Sequence, residues 1–259
     1  MSKLRVLDLF SGIGGFSLGL ERTGGFETVG FCEIEEFPRK VLAKHWPGVP
    51  IYHDVTKLTG DILERDGIAV DVITGGFPCQ DISAAGKQAG MSEGTRSGLW
   101  SEIVRLIGEL SPRYVIVENV ANLLSGPSEK RGGWFGRILG DLAECGYDAE
   151  WENIPASAVG APHRRERVWI VAYPKQGLRE SRRIPDSDDV QIIPEWAGAS
   201  EVYSLFCSGR GGPINDRHSL RADAGFPQEL DRIAACGNAV VPQIPEMIGR
   251  AILASEEAA

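Results

Sequence analysis

Residues 4–15 read Leu-Arg-Val-Leu-Asp-Leu-Phe-Ser-Gly-Ile-Gly-Gly. A short β-rich run at 5–10 passes here into a glycine-rich turn, and a helical pattern follows at about 16–22. Glycines permit a tight turn and let a ligand approach the backbone. Strand, turn and helix in this order are typical of the first unit of an α/β sheet. Taken alone, the turn fits a ligand site or a plain tight turn.

The alternation of β-rich runs and helical patterns continues to residue 173 and predicts a mostly parallel sheet covered by helices. Strands are predicted at 5–10, 28–33, 51–54, 71–75, 114–118, 148–154 and 168–172, and helices at about 16–22, 37–45, 98–110 and 134–145. In the helix at 98–110, one face carries Leu99, Ile103, Leu106 and Leu110, and Ser97 can cap the start.

Three regions follow from this pattern. Residues 1–173 form the predicted main domain. Residues 174–232 are rich in Ser, Gly, Arg, Asp and Pro, and predict a small second region of loops and short elements. Residues 233–259 regain a helical stripe after Pro242, carried by Ile244, Ile248, Ala251 and Ile252.

Composition narrows the class of protein. Apolar residues make up 42% of the chain and charged residues 24%, which is ordinary for a globular protein. No apolar run reaches the length of a membrane span, and the first residues do not resemble a signal peptide. We therefore expect an intracellular, cytoplasmic protein with no membrane partner. The five cysteines and four histidines are scattered, so neither disulfides nor a metal site is expected.

Charge is unevenly distributed. The net charge is −9, yet residues 160–222 carry ten Lys or Arg against eight Asp or Glu. An acidic protein with one locally basic face fits contact with a polyanion on that side, or a solvated surface without a partner.

Two acidic residues follow strands near the glycine-rich turn. Glu33 comes 18 residues after Gly15, where a carboxylate can accept both hydroxyls of a ribose. Ser17 stands where a dinucleotide fingerprint has its third glycine, which disfavours a nicotinamide cofactor. Asp54 fits two roles equally well, as acceptor of an adenine amino group or as a cap near Thr56.

Reactive side chains follow the later strands. Residues 75–80, Gly-Gly-Phe-Pro-Cys-Gln, place Cys79 past the end of a strand. Most isolated cysteines are inert apolar fillers, but this position is where a nucleophile is needed. Glu118 ends the next strand and faces the same cleft, unless it is a surface or capping residue. His163, Arg165 and Arg167 alternate towards one side as a strand begins, which fits a phosphate or base edge, or a solvated basic cluster.

These blocks resemble the DNA cytosine-C5 methyltransferase family. The resemblance rests on residues 7–20, Glu33, residues 75–83, Glu-Asn-Val at 118–120, Arg-x-Arg at 165–167, and Gly-Asn-Ala-Val-Val-Pro at 237–242. It spans nearly the whole chain in the family's order. It implies a Rossmann-like class I methyltransferase fold, with a mostly parallel seven-stranded sheet and helices on both faces, plus a reduced target-recognition region.

The resemblance also implies roles. Cys79 is the expected nucleophile, oriented by Pro78; Glu118 hydrogen-bonds the cytosine, and Arg165 holds the base or the covalent intermediate. S-adenosylmethionine, which leaves as S-adenosylhomocysteine, is the expected cofactor without any metal. Its site is expected to comprise Phe10, Gly12, Gly14, Glu33, Ile34, Asp54, Val55, Leu99, Asn238 and Val240. DNA contacts are expected from Gln80, Ser83, Arg165 and Arg167.

Two departures from the family pattern shape the remaining expectations. His163 replaces the usual glutamine, and only 63 residues separate Tyr173 from Gly237. A small recognition region makes few base contacts, so we expect a short or relaxed target in double-stranded DNA, read by a monomer. The alternatives are a tRNA cytosine-C5 methyltransferase, a DNA-binding protein of this fold without activity, and a nucleotide-binding oxidoreductase.

Overall fold

A computed structural model describes residues 2–78, 99–124, 133–161, 163–175 and 238–257. Its centre is a seven-stranded sheet in the order β3-β2-β1-β4-β5-β7-β6. The strands are β1 (Leu4–Leu9), β2 (Phe26–Cys32), β3 (Ile51–Tyr52), β4 (Val72–Gly75), β5 (Tyr114–Val120), β6 (Tyr147–Pro155) and β7 (Glu166–Pro174). Of the described strands, β7 alone runs against its neighbours, since it pairs antiparallel with both β5 and β6. The predicted mostly parallel, seven-stranded sheet is confirmed.

Helices cover both faces of the sheet. The described helices are α1 (Gly15–Arg22), α2 (Glu36–His45), α3 (Gly60–Arg65), α4 (Trp100–Leu110), α5 (Gly133–Glu144) and α6 (Gln243–Glu257). Side chains alternate along each strand. Val6, Val72 and Ile116 therefore pack in one core with α1 and α6, while the neighbouring positions Leu7 and Ile73 pack with α3, α4 and α5.

The structure corrects several predicted element boundaries. The predicted strand at 51–54 ends at Tyr52, because Asp54 turns the chain instead. Helix α4 begins at Trp100 after an N-cap at Leu99 without a side-chain cap; Ser97, the expected cap, lies outside the described residues. The buried face of α4 also includes Trp100 and Ile107, which the predicted stripe omitted.

Helix α3 was not predicted. It is only six residues long and begins after Thr59, whose hydroxyl accepts a hydrogen bond from the Ile62 amide. The C-terminal helix confirms its predicted stripe at Ile244, Ile248 and Ile252, which are buried. The proposed second region, 174–232, lies outside the described residues except at its first two positions, so the domain division stays a prediction.

The topology gathers the predicted functional residues at one edge. Strands β1, β2, β4 and β5 run parallel, so their carboxyl ends meet at the same edge, where ligands bind in open α/β sheets. The antiparallel β7 begins at this edge, opposite the end of β5. None of the described helices is both long and apolar enough to cross a membrane.

Candidate active site

The turn after β1 is tied to the end of β2 through Glu33. Glu33 is buried, and its Oε2 accepts a hydrogen bond of 2.7 Å from the Gly12 amide. Its Oε1 accepts one of 2.8 Å from the Glu35 amide. Each carboxylate oxygen has a second lone pair, so both can still accept a hydroxyl from a ligand.

The residues around this turn differ in what they offer a ligand. Gly12 has a positive φ of 52°, and beyond its two chain neighbours no heavy atom of the described residues lies within 4 Å of the place where a Cβ would stand. Gly14 is different, since a Cβ there would lie 2.6 Å from the Trp46 ring. Phe10 is half-buried with a φ of 52°, and the Ile34 side chain is 69% exposed. Gly12 and Ile34 therefore face open space beside the Glu33 carboxylate.

Asp54 has local partners. Its Oδ1 accepts hydrogen bonds from the Thr56 amide (3.0 Å) and hydroxyl (2.7 Å), and Lys57 lies 3.4 Å from Oδ2. The capping role left open by the sequence is thus present. Burial raises the pKa of Cys32 to about 12, and the charges of Glu33 and Asp54 act on that thiol in the same direction. The neighbouring Val55 side chain is buried in the core and has little surface for a ligand.

The Glu118 carboxylate lies at the shared edge between β4 and β7. Its Oε1 forms an ion pair of 2.9 Å with Nε of Arg167. A Cβ on Gly76 would lie 3.2 Å from Oε2, so this oxygen lies over the backbone just before Cys79. Burial raises the pKa of Glu118, and the charges of Arg167 and Arg165 oppose that shift. The alternative of a surface glutamate is wrong.

The approach to Cys79 is held by β5. Asn119 donates from Nδ2 to the Phe77 carbonyl at 3.3 Å, and the Phe77 ring packs against Trp100 at 5.5 Å between centroids. Pro78, the last described residue here, is half-buried. Cys79, Gln80 and Ser83 lie outside the described residues, so their roles stay predictions.

The two arginines before and within β7 have different partners. Arg167 contacts Glu118, whereas Nη1 of Arg165 donates to the Ala239 carbonyl at 2.5 Å. Burial lowers the pKa of Arg165, with the Arg167 charge acting in the same direction and Glu118 opposing it. All three groups therefore lie close together, as predicted, but His163 is exposed.

Residues 238–242, here called the C-terminal block, pack against the glycine-rich turn and α1. A Cβ on Gly15 would lie 2.5 Å from the Val240 carbonyl oxygen, and one on Gly19 would lie 2.1 Å from that of Pro242. Sequence reasoning missed this use of the two glycines. Their spacing of four places them on one face of α1 and was the available signal. Asn238, at the start of the described block, is exposed.

The buried Asp8 carboxylate connects β1 with the start of α1 and with β4. Asp8 of β1 accepts hydrogen bonds from the Ser17 hydroxyl of α1 (2.7 Å) and the Thr74 hydroxyl of β4 (2.9 Å). Burial raises the pKa of Asp8 to about 7, against the effect of these hydroxyls. Ser17 was singled out only as a missing glycine, and its hydrogen bond was not predicted.

The remaining predicted site residue, Leu99, is half-buried and packs against the core below α4. Among the described residues, no group of three or more His, Cys, Asp or Glu side chains is placed to hold a metal ion.

Comparisons with known proteins agree with this geometry. The profile of the family described as C-5 cytosine-specific DNA methylase matches residues 4–196. The type II methyltransferase M.Sau3AI of Staphylococcus aureus is 36% identical over 228 residues, which cover 84% of this chain and 55% of that protein. M.AluI of Cellulosimicrobium cellulans is 36% identical over 215 residues, covering 79% and 40%. The chain thus spans about half the length of these curated relatives.

Solved structures share the fold. A prophage-encoded Escherichia coli protein, assigned as a DNA modification methyltransferase, superposes with a TM-score of 0.65 at 20% identity, over 98% of this chain and 100% of that chain. A Spodoptera frugiperda DNMT2 mutant gives 0.57 at 21% identity, over 71% and 54%. With the family profile covering most of the sequence and the class I methyltransferase fold present, the chain belongs to the C-5 cytosine-specific DNA methylase family.

Proposed function

We propose that this chain transfers a methyl group from S-adenosylmethionine to carbon 5 of cytosine in duplex DNA, as a modification enzyme of the restriction–modification type. The observation that carries the proposal is the buried Glu118 carboxylate. It lies over Gly76, three residues before Cys79, and is paired with Arg167. Methylation of cytosine at carbon 5 needs both a nucleophile and an acid beside the base, and Glu118 lies next to the backbone that leads to Cys79.

Glu118 and Cys79 divide the activation of the base between them. The Cys79 thiolate adds to carbon 6, forming a carbon–sulfur bond, while Glu118 donates a hydrogen bond or proton to N3. A raised pKa favours this role, because it keeps a larger fraction of the carboxyl protonated near neutral pH. Arg167 limits that shift and holds one carboxyl oxygen. Once carbon 5 carries the methyl group, its proton passes to water, the N3 proton returns to Glu118 and the bond to Cys79 breaks, which restores the ring and the thiolate.

The described residues fit the cofactor. Glu33 can receive two ribose hydroxyls, and the exposed Ile34 offers an apolar surface beside it. Phe10, Gly12 and Gly14 would line the turn, while Asn238 and Val240 would complete the site from the other end of the chain. Asp54, Val55 and Leu99 would lie further along the same edge. S-adenosylmethionine, when bound, supplies the electrophilic methyl group that the activated carbon 5 accepts.

DNA is the proposed partner, and it must expose its cytosine. Carbons 5 and 6 are inaccessible within a stacked duplex, so the base is flipped out at a cost of a few kcal/mol. Arg165, Arg167, Gln80 and Ser83 are the proposed contacts near that base. Residues 174–232 are the proposed target-recognition region, which reads a short or relaxed sequence.

Covalent trapping tests the proposal. Duplex DNA containing 5-fluorocytosine at varied sites is incubated with the protein and S-adenosylmethionine. Fluorine cannot leave as a proton does, so an adduct that survives denaturation is expected. The control is Cys79→Ala, which should bind the cofactor but form no adduct and transfer no methyl group.

The outcomes separate the parts of the proposal. Methyl transfer by Cys79→Ala would refute the covalent mechanism. Cofactor binding without a DNA adduct, together with an adduct on fluorocytosine-containing tRNA, would refute DNA as the substrate. Strict modification of a single six-base site would contradict the expected relaxed recognition.

A further inference from the structure

Arg165 connects the base side of the site with the C-terminal block. Its Nη1 donates to the Ala239 carbonyl across 74 positions of sequence. Its Nε is buried and has no hydrogen-bond partner among the described residues. Nη1 is thus bonded to this carbonyl, while Arg167 forms the ion pair with Glu118.

The next carbonyl group along the chain, that of Val240, packs against Gly15, the first residue of α1. Gly15 leaves only enough room for the Val240 carbonyl oxygen, which would lie 2.5 Å from a Cβ there. Gly15 ends the turn whose Gly12 amide donates to Glu33. A continuous series of contacts therefore runs from Arg165 through residues 239–240 and the glycine-rich turn to Glu33.

We infer that Arg165 is a positioning residue for the cofactor site: by holding the Ala239 carbonyl, it presses the 239–240 backbone against the glycine-rich turn. Its effect on the cofactor is exerted before DNA binds. The inference rests on the proposed function, because it concerns the S-adenosylmethionine site proposed above. It differs from the expected role of Arg165, which was limited to the base and the covalent intermediate.

The measurement is calorimetric binding of S-adenosylhomocysteine without DNA, made on the full chain and two matched variants. Arg165→Ala should weaken binding about tenfold, the loss expected when a charged donor's hydrogen bond disappears. Arg167→Ala should leave binding within about twofold, because that side chain contacts Glu118 and not the block. Formation of the fluorocytosine adduct should slow in both variants.

A conservative variant separates positioning from a general loss of structure. Arg165→Lys keeps a cationic donor and should recover most of the affinity that Arg165→Ala loses. Hydrogen exchange of the 10–18 amides should rise in Arg165→Ala and not in Arg167→Ala.

Two failures are distinguishable. If the unaltered protein binds the cofactor and Arg165→Ala binds it equally well, the inference is wrong and the proposed function stands. If the unaltered protein binds neither S-adenosylmethionine nor its product, both the proposed function and the inference are overturned. Equal weakening by Arg165→Ala and Arg165→Lys, with no change in exchange, would also refute the inference.

Discussion

Replacing Asp8 with asparagine should remove a pH-dependent cost of folding. The Asp8 side chain is fully buried, and the hydroxyls of Ser17 and Thr74 are its side-chain hydrogen-bond donors. Both hydroxyls favour the carboxylate, but desolvation outweighs them and raises the pKa to about 7. In the unfolded chain the same carboxyl is hydrated and titrates near its ordinary value.

The sign and size of the effect follow from these two values. Between an ordinary pKa of 3.8 and a folded pKa of about 7, the folded state keeps a proton that the unfolded state has lost. The contribution of Asp8 to stability is therefore complete at low pH and is lost as the pH rises to 7. One pKa unit corresponds to about 1.4 kcal/mol, so the whole change is about 4 kcal/mol, of which about 2.5 kcal/mol falls between pH 5 and pH 8.

Asparagine has nearly the same shape and does not titrate in this range. The free energy of unfolding of Asp8→Asn, relative to the unaltered protein, should thus improve by about 2.5 kcal/mol from pH 5 to pH 8. Urea unfolding at four or five pH values measures it. Asp71→Asn is the control, because the hydrogen bond from Arg5 lowers the pKa of Asp71 below its ordinary value of 3.8. The stability that Asp71 contributes is lost only below that pH, so from pH 5 to pH 8 the profile of Asp71→Asn should run parallel to that of the unaltered protein. Parallel pH profiles for Asp8→Asn and the unaltered protein would refute the reasoning.

Two further predictions concern the close packing of a glycine and the hydrogen bond of a buried indole. Gly19→Ala places a Cβ 2.1 Å from the Pro242 carbonyl oxygen and should destabilise the protein by about 2 kcal/mol or more in urea unfolding. Gly108→Ala, with no atom within 4 Å, should stabilise it by up to about 1 kcal/mol, and a similar loss in both variants would contradict the packing argument. Trp169→Phe removes a fully buried indole whose N–H lacks an acceptor among the described residues, so its cost is limited to the packing lost when the smaller ring leaves a cavity. Trp100→Phe leaves a similar cavity and also breaks a hydrogen bond of 2.7 Å to a carboxylate, so it should cost about 2 kcal/mol more than Trp169→Phe; equal costs would refute that comparison.

The strands could be predicted because their apolar runs are short and bounded by glycine, proline or acidic residues. The position of Glu118 near the end of β5 followed from such a boundary, although β5 continues to Val120 and not to the predicted end at 118. The order of strands could not be predicted in this way, since nothing local to residues 166–174 indicates that β7 inserts between β5 and β6. Helix α3 was not predicted because it has only six residues, and its two adjacent apolar residues, Ile62 and Leu63, are too few to show a helical period.

The sequence predicted which site residues lie close together, but not which side chains bond to each other. Alternation placed Arg165 and Arg167 on one side of the chain, and both do lie near Glu118. Which of them pairs with the carboxylate depends on register: Arg167 lies opposite Val120 across the β5–β7 ladder, next to Glu118 on the same face. Arg165 precedes the strand and reaches the C-terminal block instead.

The glycine-rich turn illustrates why a motif alone left two roles open. Gly12 faces open space, as a ligand-binding glycine should, whereas Gly15 and Gly19 accommodate carbonyl oxygens of the C-terminal block. The turn and α1 therefore combine a glycine that is free to face the proposed cofactor with two glycines that pack against a segment more than 200 residues away in sequence. The spacing of Gly15 and Gly19 could indicate a close contact on one face of α1, but because the partner is distant in sequence, no local pattern could reveal which segment makes that contact. The start of α1 and the seating of residues 240–242 on it consequently depend on the same two glycines, so a larger side chain at either position should disturb both.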